Sequence, residues 1–174
     1  MSSRDGVTFT RWKEPVIPTS APEDRARNRS NYMAWGLVKL PGEPDKLSVY
    51  ATEAYYEGPD SRLRRFTYRV DGFVSVRAGA AGGAVVTKPI RFSGERLVVN
   101  FAAEAAGSVR VELQTADGRP LPGFTLADAK PLSGDSIRRT VAWKGGDDVS
   151  ELAGRPVRLR FAIRAADVYS FQFQ

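Results

Sequence analysis

The chain has 174 residues, 42% of them apolar, and a formal net charge of +6, with neither histidine nor cysteine. That length supplies one ordinary domain, or one domain with a smaller appended unit, and enough apolar content to fill a core. The two missing residue types exclude a Ser-His-Asp or Cys-His nucleophile, a zinc site of the usual ligands and any disulfide framework, so acid–base chemistry would rest on carboxylates, lysine or tyrosine.

Of the 26 basic residues, 20 are arginine. They alternate along strand-like runs (Arg62 and Arg64, Arg158 and Arg160) or face each other across a turn (Arg69 and Arg77), which describes solvated strand faces and charge-protected edges. A nucleic-acid footprint would gather them on one surface with aromatics between, so no nucleic-acid partner is expected. Met1–Thr10 is polar and no apolar run approaches about 18 residues, so neither a signal peptide nor a membrane partner is expected. The chain reads as soluble, and as secreted or periplasmic only as part of a longer precursor; cysteine usage fits either side of a membrane.

Residues 1–34 carry Pro15, Pro18 and Pro22 and a charge run from Glu23 to Arg29, which deny regular structure beyond a short strand over Thr8–Trp12. Within this segment Arg25–Tyr32 mixes guanidinium, amide and aromatic groups that suit hydroxyls or carboxylates. Arg29 and Tyr32 are its candidates. The plainer alternative is a basic loop packed with Tyr32.

Four strand-like runs follow, Trp35–Leu40, Leu47–Thr52, Leu63–Val70 and Phe73–Arg77. They are separated by Pro41–Asp45, by the loop Tyr55–Ser61 and by Asp71-Gly72, a type I′ turn signal. Sequential strands with short turns predict a four-stranded meander like a propeller blade, an element that normally leans on sister blades.

After the glycine-rich joint Ala78–Gly83, strands are predicted over Val85–Phe92, Leu97–Phe101, Ser108–Gln114, Ile137–Trp143, Val157–Ile163 and Val168–Phe173. Val109, Val111 and Leu113 alternate with Arg110, Glu112 and Gln114, the mark of a half-buried strand. Leu97–Phe101, apolar on both faces, is its expected antiparallel partner across Ala102–Gly107. Asp148–Gly154 reads as one short helical turn closed by glycine. The face of Tyr169, Phe171 and Phe173 is assigned to the core, and so is Trp143. The fold class is thus all-β: an antiparallel, jelly-roll-like β-sandwich over residues 84–174, preceded by an extended segment and the blade-like meander over 1–78.

Tryptophan and tyrosine rings stack on sugar rings while acids, amides and arginines read hydroxyls, so a polar aromatic cluster on such a fold invites carbohydrate as partner. Tyr55 and Tyr56 beside Glu53, Glu57 and Asp60 form the best cluster. Glu53 with Glu57 or Asp60 is also the one conceivable glycosidase pair. Asp147 and Asp148 are read as a helix cap, since a calcium loop would need more widely spaced ligands. No metal, cofactor or catalytic residue is assigned.

Several stretches carry a family likeness: Leu-Arg-Arg-Phe-Thr-Tyr-Arg-Val-Asp-Gly-Phe-Val-Ser-Val (63–76), Thr-Lys-Pro-Ile-Arg-Phe-Ser-Gly-Glu-Arg-Leu-Val-Val-Asn-Phe (87–101), Ala-Gly-Ser-Val-Arg-Val-Glu-Leu-Gln (106–114), Gly-Phe-Thr-Leu-Ala-Asp (123–128) and Pro-Val-Arg-Leu-Arg-Phe (156–161). From about Trp12 onward the chain resembles the C-terminal end of bacterial proteins similar to family 32 (β-fructosidase-like) glycoside hydrolases. That resemblance implies a last propeller blade to about Ala78, a β-sandwich after it, and a propeller as missing partner. The family's catalytic Asn-Asp-Pro, Arg-Asp-Pro and Glu-Cys motifs do not occur, so no catalytic residue carries over. The expected function is a non-catalytic, carbohydrate-associated module, either a sugar binder or the structural arm of a glycosidase-like protein. A self-assembling homo-oligomer using the uncovered meander is the alternative, and a small carboxylate glycosidase ranks below both.

Overall fold

The computed structural model describes residues 1–3, 5–18, 31–56 and 58–174. The fold is all-β with antiparallel sheets, and the helical pieces among these residues are two short 3-10 turns, Gly58–Asp60 and Ser150–Leu152. The chain divides into two compact units, Met1–Tyr68 and Arg69–Gln174.

In the first unit β1 (Ser2–Ser3) pairs with β2 (Phe9–Thr10), and β3 (Lys46–Glu53) pairs with β4 (Arg62–Arg69). Strand β3 buries Val49, Ala51 and Glu53 by simple alternation, with Ser48 buried on its other side. Single antiparallel bridges reach β3 from Met33 (to Ala51) and Val38 (to Ser48). The predicted strand Trp35–Leu40 reduces to the second of these, because Gly36 turns the backbone into the left-handed region (φ 95°) and breaks the extended run.

The second unit is one five-stranded sheet in the order β5–β9–β7–β8, with β6 also on β9. Its strands are β5 (Val76–Ala78), β6 (Gly83–Val86), β7 (Leu97–Thr115), β8 (Asp135–Thr140) and β9 (Val157–Phe173). The last predicted blade strand, Phe73–Arg77, therefore supplies β5 to this sheet, with Val76 opposite Val168 and Ala78 opposite Ala166. A four-stranded blade does not form. Leu97–Phe101 and Ser108–Gln114 are not partners either: both belong to β7 and pair in turn with the two ends of β9. Neither Ala102–Gly107 nor Arg164–Asp167 carries an Asn-Gly or Asp-Gly turn pair, and each continues its strand through an irregularity instead of reversing it.

These irregularities align into a crease. The β7–β9 register shifts between Ala103 and Ser108, Ala165 of β9 takes φ 43°, and the edge strand is interrupted between β5 and β6, where Ala165 N–H donates to the Gly79 carbonyl (3.0 Å). The expected interdomain joint Ala78–Gly83 is thus the edge of this crease. At Gly107 the backbones approach so closely that a Cβ would lie 2.1 Å from the Ala165 carbonyl oxygen, which only glycine avoids. Bending there lets Leu97, Val99 and Phe101 from one half and Val109, Val111 and Leu113 from the other join a single buried cluster with Trp143, Leu159 and Phe161. The result is sandwich-like, with halves of one sheet serving as layers.

The crease also changes which residues of β9 face inward. Val157, Leu159, Phe161 and Ile163 are buried, then Ala165 and Ala166 in succession, then Val168. The extra residue at Ala165 reverses the parity, and a second shift, at Tyr169 between the pairs Val168–Phe101 and Ser170–Asn100, restores it. Tyr169 falls at the second shift, while Phe171 opposite Val99 and Phe173 opposite Leu97 keep the core side they were assigned; Phe171, 36% exposed, reaches the ring of buried Phe161 (centroids 5.6 Å apart), and Phe173 packs against the cluster and stacks on Phe92 with ring centroids 3.7 Å apart. Trp143 does lie in the core, its indole N–H donating to the Val111 carbonyl (2.9 Å).

Candidate functional site

The loop between β3 and β4 gathers most of the residues singled out in the sequence. Its geometry is set at both ends. Ala54 and Tyr56 occupy the left-handed region (φ 50° and 64°), as does Gly58, while the Ser61 hydroxyl donates to the Ala54 carbonyl (2.7 Å) and the Ser61 amide to Gly58 (3.1 Å). Non-glycine residues hold such conformations at some cost, met here by the surrounding hydrogen bonds.

Tyr32 reaches this loop by strand-like pairing with Thr52: its amide donates to the Thr52 hydroxyl (3.0 Å) and its carbonyl accepts from the Thr52 amide (3.0 Å). Asn31 adds a 2.6 Å bond to the Thr52 carbonyl. Three tyrosine rings then follow one another, Tyr32 to Tyr55 at 4.7 Å and Tyr55 to Tyr56 at 4.1 Å between centroids. The hydrogen bond with Tyr56, followed by desolvation and proximity to Tyr32, pushes the Tyr55 phenol upward, so it stays neutral and able to donate. Beside the rings lies an open cleft of ≈ 620 Å³, bordered also by Thr52, Ser61, Arg62 and Leu63.

Glu53 borders the same cleft but is 1% exposed. Its Oε2 accepts from Arg62 Nε and its Oε1 from Arg64 Nη1, each at 2.9 Å. With both oxygens occupied by guanidinium donors, this carboxylate anchors β4 to the end of β3, the satisfaction a buried charge requires. Asp60 ends the 3-10 turn Gly58–Asp60 on the same loop and is exposed. Arg29 and Glu57 lie outside the described residues.

Sequence reasoning missed the part of Arg62 and Arg64, which look there like an ordinary solvated strand face. The available signal was their i, i+2 spacing, which puts both on the side of β4 that can meet one acid across the ladder. In the second unit, Asp147 is paired with Arg96 (3.3 Å) and the Asp148 carboxylate accepts from the Ser150 amide (2.8 Å), so both acids considered for calcium have protein partners. Among the described residues no group of three or more acidic side chains gathers as a metal site would require, and no helix is long and apolar enough to cross a membrane.

No protein-family model matches the chain, and no curated protein or solved structure matches it either.

Proposed function

We propose that the chain is a non-catalytic, carbohydrate-associated β-domain whose tyrosine cleft stacks on a sugar ring. The observation that carries this reading is the ring run Tyr32–Tyr55–Tyr56, whose Tyr55 and Tyr56 line the cleft, with Tyr56 84% and Tyr32 59% exposed. Tyrosine offers an apolar face to the C–H side of a pyranose or furanose and a hydroxyl to its edge. Rings left this open to water are poorly explained as packing. Glu53, buried under two arginines, is unsuited to act as an acid or nucleophile on a glycosidic bond, which favours binding over hydrolysis. In the reading as part of a glycosidase-like protein, the same cleft braces or extends a propeller's sugar site.

Glycan arrays followed by titration calorimetry test the proposal. Tyr56→Ala should abolish retention of any bound glycan with an unchanged melting profile. Retention unaffected by Tyr56→Ala combined with Tyr55→Ala removes the site, and an array with no hits removes the function.

Self-assembly is the second reading, favoured by a separate observation. Trp35 is fully exposed, and Leu37, Val38 and Leu63 are largely so, around a two-stranded sheet of a kind that is marginal alone. Sedimentation of the parent and of Trp35→Ser decides it: an oligomer dispersed by the substitution supports assembly, a monomer overturns it.

A further inference from the structure

A second cleft, of ≈ 360 Å³, opens in the second unit beside the turn that follows Trp143. Its floor is fixed. Trp143 is 1% exposed and tied through its indole N–H to Val111, Phe124 meets it edge-on (centroids 5.1 Å apart, 80° between planes), and Trp143 and Gly146 exchange backbone hydrogen bonds of 2.8 and 3.2 Å. The wall is bare backbone: a Cβ built on Gly123, Gly145 or Gly146 would meet no atom within 4 Å.

The charged lining is of one sign. Asp148 and Glu151 border the cleft and no lysine or arginine does, on a chain whose net charge is +6. One Asp148 oxygen is engaged by the Ser150 amide; Arg96, bridged to Asp148 through the backbone, is paired with Asp147, and Lys144, beside Gly145, with Asp128. An aromatic and proline wall with carboxylates at one rim matches a ligand having an apolar stem and a cationic head, and the volume lies at the lower end of small-molecule sites.

We propose that this cleft binds a small alkylammonium ion, its ammonium group between Asp148 and Glu151 and its alkyl chain along Phe124 and the glycine backbone. The site is independent of the tyrosine cleft, so Tyr56→Ala leaves it intact.

The test is an amide NMR titration of the full chain with n-butylammonium chloride, against 1-butanol and butyrate at constant ionic strength. The expected result is saturable shifts at Gly145, Gly146 and Glu151 with the ammonium alone, weakened about tenfold or more in Asp148→Asn combined with Glu151→Gln. Gly145 has a backbone conformation open to any side chain, so Gly145→Leu should fill the cleft and abolish the shifts without unfolding. Exposed Glu151 supplies Glu151→Gln alone as the variant to use if the others misfold. The proposal is overturned by shifts that do not saturate, by an equal response to 1-butanol, or by binding that survives Gly145→Leu or Glu151→Gln in a folded chain.

Discussion

The two units hold themselves together by different means. In Arg69–Gln174, eighteen buried apolar residues form one cluster, twelve of them drawn from strands of 19 and 17 residues that pair along nearly their whole length. In Met1–Tyr68 the buried apolar residues among those described are Ile17, Val49 and Ala51, joined by buried Ser48 and Glu53. Arginine does there what aliphatic side chains do in the other unit: Arg62 and Arg64 converge on Glu53, and Arg65 holds Ser48 and Glu43. Apolar burial is insensitive to salt and tolerates no cavities, whereas ion pairs with half-exposed partners respond to ionic strength. Hydrogen exchange at the amides of Val49 and Val111 reports the units separately, and protection at Val111 should be the greater.

The sharpest way to break this contrast is at the crease. Gly107→Ala places a methyl group against the Ala165 carbonyl, backbone against backbone, with no flexible side chain to yield. A loss of about 4 kcal/mol or more is expected for the second unit, read as collapsed protection at Val111; a variant as stable as the parent would mean that the crease is not where the strands meet. Trp143→Ala comes next, at about 3–5 kcal/mol, through the cavity and the lost bond to Val111. Phe171→Ala, on the core side but 36% exposed near the strand's end, should cost only about 1–2 kcal/mol. Equal effects for Trp143 and Phe171 would contradict this difference in burial.

The same particulars show what could be seen in the sequence. Val109, Val111 and Leu113 announce their strand by alternation, and the runs over 97–114 and 157–173 were legible as β. Their continuity was not. A crease made by Ala103 to Gly107 and by Ala165 leaves a pattern of small residues that looks like a connection, because a one-residue slip conserves local alternation and changes only its phase. Blade-like reading of the meander failed for a related reason: Val76–Ala78 suits any open edge, and which edge it meets is decided by tertiary pairing. Of the candidate site, Tyr32, Tyr55, Tyr56 and Glu53 were named from composition alone and do meet. Glu53's arginine partners stayed hidden because a paired and an unpaired arginine have the same letter; so did Arg69, whose guanidinium donates to Asn100, Phe101 and Asp135 and lies over the ring of Tyr169.

Glu53→Gln sharpens the comparison from the other side. It keeps the shape of the side chain but leaves two guanidiniums without their shared anion. Because Arg62 and Arg64 are about two-fifths exposed, the cost should be about 2 kcal/mol, below that of a fully buried pair. Protection at Val49 should fall while Val111 is unaffected. Salt tests the cause: raising it from about 0.1 to 1 M should weaken the parent's first unit and leave Glu53→Gln nearly unchanged, since the screened attraction is already gone. A parent indifferent to salt would show that β3 and β4 are held by something other than this ion pair.

The smallest expected effect belongs to the second unit and appears only in acid. Three of its acids are held below the ordinary value of 3.8: Asp117 by the Thr115 hydroxyl, half-buried Asp128 by the Thr125 hydroxyl and then Lys144, and Asp148 by the Ser150 amide. A folded-state value below the unfolded one stabilises the native state above the unfolded pKa, and that contribution is lost as pH falls through the folded values. Val111 protection should therefore hold steady from pH 7 to 5 as far as these groups are concerned, and decline below about 4. Asp128→Asn removes one titrating group, so its protection should be lower at pH 7 and its decline below pH 4 shallower than the parent's. An identical acid slope in the two proteins would remove Asp128 from the account and leave Asp117 and Asp148 to carry it.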